Sequence, residues 1–538
     1  MPKKALYRLG GSTVVEPLVN RWSAWSHLVS PAPSSLHLLH YQIKLLNSYL
    51  RDPKMHFNAC RDAKLRSGTF VDIPVERASE VESLISQTEN QASENIKFAK
   101  AVTEFHNKLV REAKGQTLEP FYGRLPDVLR GYTELLYDYY NRPTVRFFES
   151  LLYESKYYRP DMQSLRFFKH TRDDARPFFM NTPRMRQDGD IEWSIPFESP
   201  ALDELFKLDS SPRELGYIRE LLGLGAADEP RLLQMLTDRP AAALERWDSS
   251  SVRARYFGHA CVLIEWGGVS ILTDPNIPVA PSEGGVDRLT YADLPEKIDY
   301  VVVTHNHHDH FCMETLLRLR HKLECLVVPR SFGMFYGDLS LKLLARKIGF
   351  KSVVEMDTLE RIPLPGGEII AVPFMGEHAD LPHGKTAYVI RAGHKKILIA
   401  ADSNCLDRRV YENVRRSIGV IDALFLGMEC VGAPLSWSCG PFLPFKPDFS
   451  HEQSRRYRGC DSEGAMNIIE AIGAKEIYLY AMGLEPWLEY LLGLALTEDS
   501  EQIKQSNQLL SNLRLKGFSS AQLLFGKCEI HLSEACAN

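Results

Sequence analysis

A chain of 538 residues with 44% hydrophobic and 25% charged content is an ordinary globular sequence with room for two or three domains. Its formal net charge of −5 gives no whole-chain basic field, which argues against nucleic acid as a partner. No stretch nears the roughly 20 apolar residues that span a bilayer, Met1-Pro2-Lys3-Lys4 lacks the apolar run of a signal peptide, and the ten cysteines form no CxxC pair, so a cytoplasmic, membrane-free protein with free thiols is expected.

Residues 1–247 read as a largely helical α+β unit rich in aromatics, as in Trp22-Ser23-Ala24-Trp25. From Ala78 to Ala113, Val81, Leu84, Ile85, Thr88, Ala92 and their successors recur at three- and four-residue steps, which predicts helix. Pro126 to Tyr140 is expected as a second helix, with proline suited to the first turn. A third is expected from Ser211-Pro212 to Gly223. Short strands are expected near Arg166–Phe168 and Ile191–Ile195. No catalytic constellation stands out, and His27, His37, His40, His56, His106 and His170 are read as structural. This unit is expected to serve dimerisation or partner docking, because large apolar patches tend to be interfaces.

After Trp247-Asp248-Ser249-Ser250-Ser251 the periodicity changes, and residues 248–538 read as the catalytic domain. Val252–Phe257, Cys261–Trp266 and Val269–Thr273 are predicted strands, with Gly267-Gly268 as a hairpin turn. Ile298–Val303 is a buried strand that runs into Thr304-His305-Asn306-His307-His308-Asp309-His310. Met313–His321 and Leu341–Ile348 are expected helices, and Leu326–Val328, Ile369–Pro373, Thr386–Ile390 and Ile397–Ala400 further strands. The mixture predicts an α/β layered sandwich.

The His305-x-His307-x-Asp309-His310 spacing sends alternate side chains the same way. His305 and His307 can share one metal while Asp309 and His310 turn to a second, and His308 fits no ligand position. Asp402, at the tip of the apolar strand ending in Ala400-Ala401, can bridge the two. The spacing resembles the signature of the metallo-β-lactamase superfamily, whose fold is αββα. Phe257-Gly258-His259-Ala260, Leu272-Thr273-Asp274-Pro275, Gly376-Glu377-His378 and Ala401-Asp402-Ser403 lie where that family has supporting pieces. Hydrolases of the superfamily carry another metal-binding histidine late in the chain. Here Gly459-Cys460-Asp461 and Ala481-Met482-Gly483 contain none. His305, His307 and Glu377 on one metal, with Asp309, His310 and Asp402 on the other, include three carboxylates. Two histidines plus a carboxylate is a non-haem iron arrangement, so iron is favoured over zinc.

The fuller set of stretches is similar to the diiron β-hydroxylases of nonribosomal peptide assembly. They are Thr304 to His310, Pro373-Phe374-x-Gly376-Glu377-His378-x-Asp380, Ala400 to Ser403, Gly427-Met428-Glu429, Gln453-Ser454-Arg455-Arg456, Tyr480 to Trp487, and the early Trp22-x-x-Trp25-Ser26. The resemblance implies two Fe ions and O2-dependent hydroxylation of the β-carbon of an amino acid held as a thioester on a carrier domain of a nonribosomal peptide synthetase. It also implies an external electron donor protein. Glu377 and Asp402 are the residues expected to take part in catalysis as iron ligands. His378 and Glu429 are expected beside the ligands or among them. Arg455, Arg456 and Arg458, the densest basic stretch of the catalytic half, are expected to dock the carrier. A homodimer is expected through the N-terminal half. The alternative on this fold is a dinuclear zinc hydrolase.

Overall fold

The computed structural model describes residues 5–240, 244, 246–331, 338–377, 384–443 and 447–532. Two seven-stranded sheets dominate the C-terminal half. The first runs Val353–Met356, Leu323–Pro329, Ile298–Val302, Val269–Thr273, Cys261–Trp266, Val252–Gly258, Cys528–Leu532. The second runs Arg361–Leu364, Gly367–Val372, Ala387–Ala392, Lys395–Ala401, Ala423–Gly427, Glu476–Tyr480, Ala521–Leu523. Tyr256, Val262, Ile264, Ile271 and Val302 of the first meet Ile369, Tyr388, Ile390, Ile399 and Phe425 of the second in one buried layer. The outer face of the second sheet is covered by helices Arg408–Ile418, Ser462–Ile472 and Glu501–Leu515. This is the expected αββα sandwich.

Each sheet is part antiparallel and part parallel. Val269–Thr273 pairs parallel to Ile298–Val302, Thr273 opposite Val302. Lys395–Ala401 pairs parallel to Ala423–Gly427, which pairs parallel to Glu476–Tyr480. Parallel strands end on the same edge, and in open α/β sheets ligand sites form beyond the carboxyl ends. Asp274, the loop Thr304–His310, Asp402, Glu429 and Ala481 therefore emerge together.

The N-terminal half is joined to this sandwich rather than appended to it. One buried cluster runs from Leu9, Trp22, Trp25, Phe98 and Phe167 to Leu263, Val301, Leu316, Leu344 and Trp487. Many apolar side chains of the N-terminal half are thus buried against the sandwich. The predicted stripe from Ala78 is two helices, Ala78–Gln91 and Ser93–Glu112, broken at Ala92 (φ −104, ψ 22). Strands Gln163–Lys169 and Ile191–Ser194 lie where expected, whereas the helix expected from Ser211-Pro212 begins only at Leu215 and ends at Leu221, because Arg213 and Glu214 pair as a short strand with Tyr7 and Leu6. The helix expected over 126–140 is absent. Pro126 is extended (ψ 142), one 3-10 turn covers Asp127–Leu129, and Thr133–Tyr137 pairs with Pro143–Phe147 as a hairpin. Alternating burial along both strands, and a turn in which Asp138 Oδ1 accepts from Tyr140 N and Arg142 N at 2.8 Å each, override the helical spacing. Among the described residues no helix is long and apolar enough to cross a membrane, and the cysteines are unbridged.

The two halves are pinned by buried charge. Glu16 lies within 2.9 Å of Arg184 Nε, 3.1 Å of Arg176 and 3.5 Å of Arg166, and accepts from the Ser23 hydroxyl at 2.5 Å. Arg176 also reaches Glu314 at 2.7 Å, in the first turn of helix Met313–Leu319 directly after the histidine loop. Burial pushes the Glu16 carboxyl up, but the three guanidinium groups outweigh it and hold it far below the ordinary 4.5. A depressed folded value means that the stabilisation is present above about pH 4.5 and is lost as pH falls toward the folded value. Glu16→Ala, which strands the buried Arg184 and takes one of two carboxylate partners from Arg166 and Arg176, should cost about 3–5 kcal/mol in denaturant unfolding at neutral pH. An unchanged midpoint would show that the cluster holds nothing together.

Candidate metal centre

The site is built on strand ends forced into an uncommon backbone conformation. His259 (φ 51), Asp274 (φ 34), Ala401 (φ 44) and Ala481 (φ 52) are non-glycine residues with positive φ, each just beyond or at the end of a strand. Such residues cost of order 1–3 kcal/mol each and cluster where structure serves function. The turn after Ile298–Val302 closes when His310 N and Phe311 N both donate to His307 O, at 3.1 and 2.7 Å.

Two groups of donor atoms converge there. His305, His310 and Asp402 form one, and His259, Asp309 and His310 the other. His310 belongs to both. Its Nδ1 donates to Asp274 Oδ2 at 2.9 Å, and Asp274 is held by Thr304 N and Thr304 Oγ1, each at 2.7 Å. The other nitrogen, Nε2, lies 3.0 Å from Asp402 Oδ2 and 3.7 Å from Asp309 Oδ2, yet makes no hydrogen bond. One nitrogen fixed on a carboxylate and the other aimed at a cluster of donors is how a metal-bound histidine is held. His305 Nε2 is 3.7 Å from Asp402 Oδ2. His259 Nε2 donates to Asp309 Oδ2 at 2.9 Å.

The electrostatics agree. Burial disfavours charge on His310, but Asp402, Asp274 and Asp309 outweigh it and raise its pKa well above the ordinary range. Burial likewise opposes ionised Asp309, and His310 with His259 overcomes it and holds the carboxyl far down. Three carboxylates converging on one fully buried imidazole make a site with excess negative charge, which metal cations neutralise. The donors are all imidazole and carboxylate, which suits non-haem iron.

A cavity of about 330 Å³ opens from these donors. His259, His307, Asp309 and Asp402 form its floor. Its walls come from both halves of the chain, with Trp25 and His27 from the N-terminal half and Leu339, Val431, Trp437 and Tyr457 from the other.

Residues 8–240 match the family described as the diiron non-heme beta-hydroxylase N-terminal domain, and 253–360 match the beta-lactamase superfamily domain. A 3-hydroxylase from Streptomyces venezuelae, named for 4-amino-L-phenylalanyl on the CmlP peptidyl carrier protein, is 34% identical over 524 residues, 96% of this chain and 98% of its own length. The chain belongs to the diiron β-hydroxylase family. The crystal structure of CmlA, a diiron β-hydroxylase from Streptomyces venezuelae, matches it with a TM-score of 0.91 at 32% identity, over 98% of this chain and 100% of that one. A point mutant of CmlA matches at 0.89 with the same identity and coverage.

Of the residues singled out from this hydroxylase's sequence, the structure brings His305, Asp309, His310 and Asp402 together. His307 lies beside them, its ring 4.6 Å from that of His305 and 5.2 Å from Tyr457. Glu377 stands apart, its side chain 57% exposed and 3.8 Å from Arg455. His378 lies outside the described residues. Glu429 borders the cavity, accepting from Gly432 N at 2.8 Å and from Gln502 Nε2 at 3.1 and 3.2 Å. Arg455 and Arg458 are exposed, whereas Arg456 donates to the carbonyls of Val431 and Gly432. His308 points away from the donors: it packs 4.0 Å from the Phe179 ring, which docks the histidine loop on the N-terminal half, and donates to Leu491 O at 3.0 Å.

Sequence reading missed the parts played by His259 and Asp274, and by Trp25 and His27. The first two stand in motifs noted only as supporting pieces, and their positive φ has no sequence signal. The Asp274→Ala variant should lower metal affinity about 10–100-fold with the fold retained, as supporting residues of metal ligands do. Chelator competition reads this, and unaltered affinity would mean that His310 needs no such support.

Proposed function

We propose that this hydroxylase inserts one atom of O2 into the β-carbon–hydrogen bond of an aminoacyl group carried as a thioester on a peptidyl carrier domain of a nonribosomal peptide synthetase. The second oxygen atom leaves as water, with two protons and two electrons supplied by an external donor protein. The observation that carries the reading is the cavity, which starts at the metal donors and is walled mainly by apolar side chains, so that a C–H bond rather than a polar leaving group faces the centre. The Streptomyces relative, matched nearly end to end, is named for a carrier-bound aminoacyl substrate.

We assign His305, His307 and Asp402 to one iron and Asp309, His310 and Asp402 to the other, with His259 beside the second. The two irons, when bound, supply the O2 activation that removes the β-hydrogen. The chain's own task is to hold the thioester arm, exclude water and aim the β-carbon. Trp25, Trp437 and Tyr457 confine the aminoacyl group, and the buried carboxylates keep the histidines oriented. Glu377 is assigned to the His305–His307 side. From the rim it reaches the donors by an inward movement, for which Gly376 (φ 114) offers a backbone conformation that other residues rarely adopt.

Intact-protein mass spectrometry of candidate aminoacyl carriers, with enzyme, O2 and reductant, should show the gain of one oxygen atom. Glu377→Asp should keep most of the iron but slow that gain. Thioester hydrolysis without oxygen incorporation, in a protein holding stoichiometric zinc, would sink the oxygenase reading in favour of the hydrolase. Wild-type turnover and metal content in Glu377→Ala would remove Glu377 from the site.

Arg455 and Arg458 are exposed and flank Arg456, which borders the cavity, and exposed cations there can steer an acidic carrier. Replacing both with glutamate should raise the KM for the loaded carrier, more at low salt than at high, and leave iron content unchanged. A short pantetheine-linked substrate should be turned over as before. Normal carrier kinetics in the double variant would place docking elsewhere.

A further inference from the structure

The stretch Tyr480-Ala481-Met482-Gly483-Leu484-Glu485-Pro486-Trp487 lies where hydrolases of this fold carry their late histidine, and it has none. Its residues converge instead on His259. Ala481 N donates to His259 O at 3.0 Å. Glu485 is 1% exposed; it accepts from the Tyr256 hydroxyl at 2.5 Å and from His259 N at 3.4 Å. Trp487 packs so tightly on Gly258 that a Cβ there would stand 2.7 Å from its ring, and the Arg288 guanidinium lies 4.2 Å over that ring.

These contacts act on a backbone that needs holding. Gly258 (φ 108) and His259 (φ 51) are consecutive residues with positive φ. Held this way, His259 presents Nε2 to Asp309 Oδ2 at 2.9 Å, and Asp309 and His310 lie with it in one donor group. A segment that only had to pack would bury an apolar side chain at position 485 at lower cost than a carboxylate. The carboxylate instead receives the hydroxyl of one strand and the amide that begins the His259 turn.

We propose that Glu485, working with Tyr256, is a positioning residue for His259 and through it for the Asp309–His310 iron position, in place of the late histidine. Glu485 touches no donor atom itself. Its removal should therefore loosen one iron and spare the other.

The test is anaerobic reconstitution of the full chain with ferrous iron, followed by iron analysis and EPR after oxidation. Glu485→Leu should bind the second iron about 10–100-fold more weakly. Near one iron per chain should remain, with a ferric signal from an uncoupled ion that a coupled pair lacks. Glu485→Gln, which keeps an acceptor for the Tyr256 hydroxyl, should restore most of the second iron. Tyr256→Phe should fall between. Two irons with the wild-type spectrum in Glu485→Leu would overturn the proposal, as would parallel loss of both irons or failure of Glu485→Gln to restore either. If Glu485→Leu does not fold, Tyr256→Phe decides: selective loss of one iron supports the assignment and full occupancy overturns it.

Discussion

The centre depends on the orientation of one imidazole. His310 is shared by both donor groups, so an error in its ring angle would disturb both groups at once. Its Nδ1 is anchored on Asp274, which is itself anchored by the backbone and hydroxyl of Thr304, the residue that opens the histidine loop. Every group in this chain is buried, where a charge-assisted hydrogen bond is strong and an unmet one costly. Two parallel strand ends, Thr273 and Val302, bring the partners into register before any side chain acts.

The N-terminal half extends that orientation outward. Arg176 ties Glu16 to Glu314, at the start of the helix that follows the histidine loop. Phe179 packs on His308 inside the loop. Trp437 Nε1 donates to Ser67 O at 3.2 Å, which closes the cavity wall across the two halves. The family's N-terminal domain is therefore part of the cavity wall, and an isolated β-lactamase-type half would lack that wall and a clamp on the histidine loop.

How much of this the sequence disclosed follows from the range of each interaction. The apolar run Ile298–Val303 leading into His305, His307, Asp309 and His310 is local, so strand, tip and ligand types could be read together. Asp402 was legible for the same reason. His259 meets Asp309 across 50 positions, and Asp274 meets His310 across 36. No periodicity reports such pairings. The hairpin Thr133–Tyr137 with Pro143–Phe147 was misread because Pro126 fits the first turn of a helix, and cross-strand pairing outweighed local preference. His27 looked structural, and is buried and stacked 4.7 Å on Phe442, but it also faces the cavity because the two halves share a core.

The contrast between the buried donors and Glu377 has a mechanical meaning. His305, His310, Asp309 and Asp402 are caged by buried partners and cannot move without breaking strong contacts. Glu377 sits in an ion pair with Arg455 whose two side chains are 57% and 52% exposed. Exposed pairs of this kind contribute about 0–1 kcal/mol and are screened by salt. Its proposed inward movement would therefore exchange a weak contact for a metal bond, while the buried donors stay in place. Such a division lets the coordination shell change during turnover without drawing on the stability of the fold. It also places Glu377 next to Arg455, so a carrier that engages this guanidinium would compete with the exposed position of the carboxylate and favour its proposed inward movement.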